Sequence, residues 1–322
     1  MQPKVSVIIL VYCAEAYIER CARSLFAQTL DDIEYIFVND ATPDRSMDIL
    51  YRVIDDFPQR KSSIRIINNE ENRGQAYSRK RGIEAASGLY IIHCDSDDWV
   101  DTTLYESLYS KAMKEECDMV WCDFYRNNGI TDSIEIQSCT LDSISAMKAI
   151  LCGQKMGVLW NTLVKSDIVR QTNIIYPNMD IMEDVVLIMQ YLYYSRHFGY
   201  VKDPLYHYCN HESSSTMADN RDLIVQQVYV MDENLEMIFC FLKMKNLYKD
   251  LHKEVLFRKF FNKRWLLPAI KNAKDCHLWI KEYPEINRSL FFSSYINISD
   301  KLTALLVEMR IYPYLRKKLR KR

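Results

Sequence analysis

Residues 5–11, VSVIILV, are apolar almost without a break, the pattern of a strand covered on both faces. Residues 15–28 follow with Ile18, Cys21, Ala22 and Leu25 at helical spacing. The two periods then keep exchanging. Apolar runs at 33–38, 64–67, 89–93 and 119–124 predict further strands. Between them, residues 44–57 set Met47, Leu50, Ile54 and Phe57 on one side of a helix. Residues 75–86 read as a helix stopped near Gly88, and residues 101–115 as another. This alternation predicts an α/β fold, a mostly parallel sheet with helices on both faces. Beyond residue 140 the pattern turns helical, at 141–151, 183–194, 221–245 and 250–261, with short extended pieces at 199–202 and 205–208. The expected organisation is an α/β domain over residues 1–215 and a helical region with a basic tail over residues 216–322.

In an open α/β sheet, ligands bind beyond the carboxyl ends of the strands. Tyr12 and Cys13 stand there after the first run, Asn39 and Asp40 after the second, and Asn68, Asn69 and then Arg73 after the third. The fourth run leads into HCDSDDWV at 93–100, with Asp95, Asp97 and Asp98 inside four positions and Asp101 just beyond. One aspartate in such a place is explained as a helix cap, since one cap needs one acceptor. Three together are not, and like charges that close call for a shared cation. The triplet Asp95, Ser96, Asp97 offers hard oxygen ligands suited to Mg²⁺ or Mn²⁺, ions that keep waters and bridge phosphates. The chain has only seven glycines, and none falls in G-x-G-x-x-G or G-x-x-x-x-G-K-[ST]. Without that backbone cradle, a bound diphosphate would be met by a metal ion or by basic side chains.

Composition adds exclusions. The 322 residues are 48% hydrophobic and 26% charged, a globular balance for one large domain or two unequal ones. A net charge of −1 lacks the broad basic excess of a nucleic-acid binder, so no nucleic-acid partner is expected. Basic charge gathers in one place: residues 310–322 hold seven Lys or Arg and no acid. The N-terminal run reads as a strand rather than a signal peptide, and no apolar stretch approaches bilayer-spanning length. Ten cysteines without a C-x-x-C pair argue against a zinc site or a disulfide framework and for a cytoplasmic protein. Basic residues interleave with aromatics in VLFRKFFNKRWLLPAI at 255–270 and in YPYLRKKLRKR at 312–322. Two readings compete: a packed helix with a solvated tail, or contact with an anionic membrane surface. Packing is preferred for 255–270 and membrane contact for the tail, which places the protein at the inner face of a membrane.

Taken in order, VSVIILVYCAEAYIERCARSLFAQTL, IEYIFVNDATPD, ENRGQAYSRKRGIEAASGLYI, DSDDW, WNTLVK, MED and LYHYCNHESSS resemble the family 2 glycosyltransferases of GT-A fold. The likeness runs from residue 5 to 99 and continues more loosely to 216. It implies transfer of a sugar from a nucleotide-diphosphate donor, usually UDP-linked, to an acceptor hydroxyl on a glycan or lipid-linked acceptor, in the making of surface polysaccharide or another glycan. Inversion at the anomeric carbon and a divalent metal ion, Mn²⁺ or Mg²⁺, are implied with it. By position, Tyr12 and the backbone near Leu10 face the nucleotide base, and Asp40 hydrogen-bonds it. Arg73 and Arg79 contact base or phosphates. Asp95, with Ser96 beside it, lies at the ribose and metal, and Asp95 and Asp97 are the metal ligands. Asp184 matches the general base, and His207 or His211 would reach the metal or pyrophosphate. The chain departs from the family's usual Pro-x-Tyr-Asn with Leu10-Val11-Tyr12-Cys13, from Asp-Asp-Gly-Ser with Asn39-Asp40-Ala41-Thr42, and from Ala-Arg-Asn with Ser78-Arg79-Lys80.

Plainer readings stand beside these roles. Tyr12 could pack at a strand end, and Arg73 and Arg79 could be solvated helix residues. Glu183 is preferred as an acid in a helix first turn, where the helix dipole favours it. His207 and His211 are preferred as structural, and Trp99 and Trp160 as core residues. Two rival functions remain: a non-catalytic nucleotide-sugar-binding protein of the same fold, and a metal-dependent nucleotidyltransferase, for which VYCAEAYIER offers no clear basic loop.

Overall fold

The computed structural model describes residues 2–127, 132–171, 173–209 and 220–319. The chain divides into two compact units, Met1–Met147 with Lys155–Glu212, and Lys148–Gln154 with Ser213–Arg322. The first unit contains β1 (Val5–Val11), α1 (Ile18–Phe26), β2 (Ile33–Asn39), α2 (Ser46–Asp56), β3 (Ile64–Asn68), α3 (Gln75–Ala85) and β4 (Tyr90–Asp95). It continues with β5 (Trp99–Val100), α4 (Leu104–Lys114), β6 (Met119–Asn127), β7 (Asp132–Glu135) and α5 (Ser143–Leu151), whose last residues group with the second unit. It ends with β8 (Thr162–Lys165), α6 (Ser166–Val169), α7 (Glu183–Tyr194) and β9 (Phe198–Cys209).

One sheet takes the order β3-β2-β1-β4-β8-β6-β9-β5, with β7 paired to β6. The strands β1 to β4 run parallel, as the apolar runs predict. β8 then enters antiparallel between β4 and β6, and β9 pairs parallel with β6. The sequence pattern suggests two extended pieces where the structure has the single strand β9. Pro204, which cannot donate to a ladder, faces Asp123 where the register shifts, and this irregularity absorbs it. Ile18, Cys21 and Leu25 of α1 and Leu50, Val53 and Ile54 of α2 bury against the sheet in one core. Each fully buried Leu, Ile or Phe there contributes roughly 1.5–3 kcal/mol.

The second unit is built from α8 (Arg221–Met244), α9 (His252–Arg264), α10 (Cys276–Lys281), α11 (Ile298–Glu308) and α12 (Tyr312–Leu319). Phe260, Trp279, Ile286, Leu290, Ala304 and Val307 form its core. Two basic residues of α9, Lys259 and Lys263, turn inward. Lys263 is fully buried; its Nζ donates to the Glu282 carbonyl at 2.7 Å and to the Asn287 side chain, and burial lowers its pKa to about 8. Lys259 pairs with Glu285 at 2.7 Å. These contacts support packing for residues 255–270. Arg316, counted above with the tail, also has a structural job: its Nη1 donates to the carbonyls of Leu267, Pro268 and Ile270 at 3.3, 3.0 and 3.1 Å. Among the described residues no helix is long and apolar enough to cross a membrane.

Candidate active site

Strand register brings the expected residues to one edge of the sheet. Leu10 pairs with Val38 on one side and Asp95 on the other, so Tyr12, Asp40 and the turn after Asp95 leave the sheet together. Three non-glycine residues beside this edge adopt left-handed backbone: Cys13 (φ 50°), Ala41 (φ 52°) and Met182 (φ 69°). They adjoin Tyr12, Asp40 and Glu183 in turn. Such conformations cost on the order of 1–3 kcal/mol each and persist where surrounding contacts over-determine them. Here Cys13 N–H donates to Thr42 Oγ1 at 2.8 Å, and Thr42 N–H donates to Asn39 Oδ1 at 3.0 Å, so the two strand ends fix each other.

Asp40 is only 4% exposed. Its Oδ1 accepts from Asn69 Nδ2 at 2.6 Å and from Arg73 N–H at 2.9 Å, and its Oδ2 accepts from Gly74 N–H at 2.9 Å. The carboxylate therefore clamps the loop after β3 to the end of β2, and any contact with a nucleotide base must share oxygens already engaged. Asp180, which the sequence pattern did not single out, accepts from Ala76 N–H at 3.0 Å at the start of α3. Gly74 has φ +83°, and a Cβ there would lie 2.4 Å from an Asp180 oxygen, so glycine is required twice over. Protein carboxylates thus occupy the α3 N-terminus. Tyr12 stays open, 47% exposed, and the Arg73 guanidinium lies 4.7 Å over the Tyr77 ring and 3.4 Å from Glu71.

The acidic turn has a division of labour. Asp98 is buried; its carboxylate accepts from the Tyr206 hydroxyl and from Cys209 N–H, both at 2.7 Å. The same hydroxyl accepts from Asp95 N–H at 3.1 Å. Asp98 and Tyr206 together sew β9 onto the turn and leave Asp95, Ser96 and Asp97 half-buried at its crest. Burial, with Asp97 and Asp184 nearby, pushes Asp95 up to about 7 against the opposing pull of Arg79. Burial and the charges of Asp97 and Asp95 likewise push Asp98 well above the carboxylate range.

Behind the turn lies an ion cluster. Arg79, an expected nucleotide contact, is 3% exposed and engaged inside the protein. Its Nη2 lies 3.0 Å from Glu183 Oε1 and 3.0 Å from Asp184 Oδ1, and its Nη1 lies 3.0 Å from His93 Nδ1. Burial opposes the Arg79 charge, but Asp184, Glu183 and Asp95 outweigh it and raise the pKa. Burial and Arg79 hold the pKa of His93 well below its ordinary value, so the neutral ring accepts from Arg79. Burial, then the Asp184 charge, pushes Glu183 up to about 8. Glu183 does open a helix, as preferred above, and it also belongs to this cluster. Asp184 Oδ2 accepts from Leu159 N–H at 3.1 Å. Its Oδ1 is buried and receives no hydrogen bond among the described residues, although it is ion-paired with Arg79.

His207 stacks on Trp99, with ring centroids 3.4 Å apart, and on Tyr125 at 4.7 Å, while its Nε2 lies 3.4 Å from Asp101. It is a structural histidine, and Trp160, 3% exposed, is a core residue. His211 lies outside the described residues. Among the described residues no three His, Cys, Asp or Glu side chains converge to hold a metal ion. Asp95 and Asp97 still fit Mg²⁺ or Mn²⁺, which commonly take one or two carboxylates and complete their shell with water and substrate phosphate. Burial is the first cause of the raised Asp95 and Asp98, and the neighbouring carboxylates add to it.

The profile described as glycosyl transferase family 2 matches residues 6–170. The chain is 31% identical over 261 residues to the putative glycosyltransferase EpsH of Bacillus subtilis, covering 79% of this chain and 73% of that protein. It is 28% identical over 244 residues to the uncharacterized glycosyltransferase YibD of Escherichia coli, covering 70% and 68%. Among solved structures, S. aureus TarS 1–349 in complex with UDP-GlcNAc matches with a TM-score of 0.59 at 13% identity, over 99% of this chain and 92% of that one. The mannosyltransferase PcManGT from Pyrobaculum calidifontis, in complex with GDP-Man and Mn²⁺, matches with a TM-score of 0.57 at 11% identity, over 100% and 89%. At these identities the structural likeness establishes the GT-A fold.

Proposed function

The chain belongs to glycosyl transferase family 2, and from that premise we propose that it moves a sugar from a nucleotide-diphosphate donor to an acceptor hydroxyl with inversion, with Asp184 as the base. The observation that carries this reading is Asp184 Oδ1, a buried oxygen ion-paired with Arg79 at 3.0 Å that receives no hydrogen bond among the described residues, in the same electrostatic cluster as the Asp95 edge. A carboxylate oxygen with acceptor capacity left beside its ion pair is what a base presents to a hydroxyl about to attack. With Glu183 pushed up to about 8, Glu183 is the neutral member near pH 7, which leaves the Arg79 charge to balance Asp184. Leu159 N–H and Arg79 then hold the carboxylate in one orientation. Asp95 and Asp97 would hold a divalent ion, which would supply positive charge against the departing diphosphate. Tyr12 is the exposed ring available to the nucleotide base, Asp40 sets the loop that carries Arg73, and Ser96 lies at the ribose.

The complexes of TarS with UDP-GlcNAc and of PcManGT with GDP-Man and Mn²⁺ support a nucleotide-diphosphate sugar and a metal ion as the donor class. UDP is proposed on the family's usual preference. The proposed acceptor is a glycan or lipid-linked hydroxyl, reached from the cytoplasmic side of an anionic membrane, with the basic residues from Arg310 onward, apart from the anchored Arg316, touching that surface.

The test begins with a thermal-shift titration of nucleoside diphosphates with and without Mn²⁺. It continues with detection of diphosphate release from the matching sugar nucleotide. Asp184→Asn is expected to lower turnover by about 10²–10⁴-fold while donor affinity stays nearly constant. Binding without release from any donor would support a non-catalytic binder, and a parallel loss of donor affinity in Asp184→Asn would remove Asp184 from the base role.

A further inference from the structure

Helix α11 is apolar on two opposite sides, and the fold uses one of them. Ala304 and Val307 enter the core with Phe260 and Trp279. On the other side Ile298, Leu302 and Leu305, with Met309 at the C-cap, follow at steps of four, three and four residues, a single stripe on an α-helix. They are 84%, 54%, 41% and 57% exposed. The solvent side of a globular helix is normally polar, and a continuous apolar stripe there calls for a partner.

The area of the stripe narrows the choice. A helix of 11 residues is about 16 Å long, so its stripe falls well short of the roughly 800 Å² per partner that a stable protein–protein interface buries. A bilayer boundary asks for less area, because an amphipathic helix can lie in it with its apolar side about 5–10 Å deep. Charge selects the lipid. Past the stripe the chain carries Arg310, Arg316, Lys317, Lys318, Arg320, Lys321 and Arg322, with no acid between 310 and 322. Tyr314, 67% exposed, is an aromatic of the kind that sits at headgroup level. A modest apolar face and a polybasic segment are each weak anchors, and together they make a stable one.

We propose that α11 is a membrane-docking helix, its face of Ile298, Leu302, Leu305 and Met309 entering the headgroup boundary of an anionic bilayer and held there by the basic residues that follow. This rests on the membrane contact proposed above for the basic segment and adds the face that inserts. It does not depend on sugar transfer.

The experiment is co-sedimentation of the full chain with phosphatidylglycerol/phosphatidylcholine vesicles, against phosphatidylcholine alone. Binding is expected to the anionic vesicles only, and to weaken with added salt. The double variant Leu302→Ser/Leu305→Ser changes only exposed positions. It is expected to bind roughly 10- to 30-fold more weakly, with an unchanged circular-dichroism melt and an unchanged donor-induced thermal shift. Deleting residues 317–322, and keeping the anchored Arg316, removes most of the salt-sensitive share. Undiminished binding by the double variant would overturn the inserting face. Absence of vesicle binding by the full chain would overturn the docking as a whole, as would a dimer in light scattering that the double variant dissolves, since a second copy would then cover the stripe. Loss of transfer with vesicle binding intact counts against the proposed reaction and leaves the docking standing.

Discussion

At Arg79 one guanidinium answers for two acids that lie 104 and 105 positions further along the chain, at Glu183 and Asp184. Replacing it with methionine leaves both acids buried without their cation. Arg79→Met is therefore expected to cost about 3–5 kcal/mol in urea denaturation at neutral pH, the range for breaking one half of a buried pair. Glu183 gives a pH-dependent prediction. Its folded pKa is raised to about 8, above the ordinary glutamate value, so the folded state holds a proton that the unfolded state releases. That stability is fully present below the ordinary value and is lost as pH rises toward 8. Glu183→Gln lacks this slope and should gain on the wild type by a few kcal/mol between pH 5 and 8, in matched urea titrations. A constant difference across that range would mean that Glu183 is ionised throughout. The sequence marks Arg79 through its motif and Glu183 through its place in a first helical turn. It does not show that they meet, because side-chain pairing across a hundred residues leaves no periodic trace.

At the level of elements, legibility follows burial and length. The runs in β1, β2 and β4 are nearly all buried, so their apolar pattern is continuous and readable. β5 has two residues, β8 four, and β7 is exposed and polar, so none carries a period long enough to recognise. The loss matters most at β5. It pairs Trp99 with His207 and Val100 with Tyr206, and so delivers the Tyr206 hydroxyl to the acidic turn. Asp98, the acid without a firm role in the sequence, proves to be the fastener of that joint. Tyr206→Phe keeps the ring and removes the hydroxyl, leaving Asp98 Oδ2 and Asp95 N–H short of a partner. An expected loss of about 1–3 kcal/mol follows from leaving buried polar groups unpaired. Because the same joint sets the crest of the turn, calorimetry should also find weaker metal-dependent donor binding. Full donor affinity in a destabilised Tyr206→Phe protein would confine the joint to a folding role.

For the whole molecule, the two proposals fall on different compact units, the sugar-transfer site on the first and the docking helix on the second. The sequence shows the change from alternating strands and helices to helices alone. It does not show that Lys148–Gln154, from the middle of the chain, joins the second unit, since membership of a core is a contact property. Hydrogen exchange can then assign each ligand to its unit. A ligand stabilises what it binds by RT ln(1 + [L]/Kd), about 2.7 kcal/mol at a hundredfold excess over Kd, or roughly a 100-fold slowing of exchange through openings that expel the ligand. A nucleotide donor with Mn²⁺ is expected to slow amides of β1, β4 and α7 and to leave α8 and α11 at their own rates. Anionic vesicles should do the reverse, slowing α11 and leaving β4 unchanged. Protection of β4 by vesicles alone would mean that a membrane surface reaches the donor edge itself, and the separation of transfer from docking would fail.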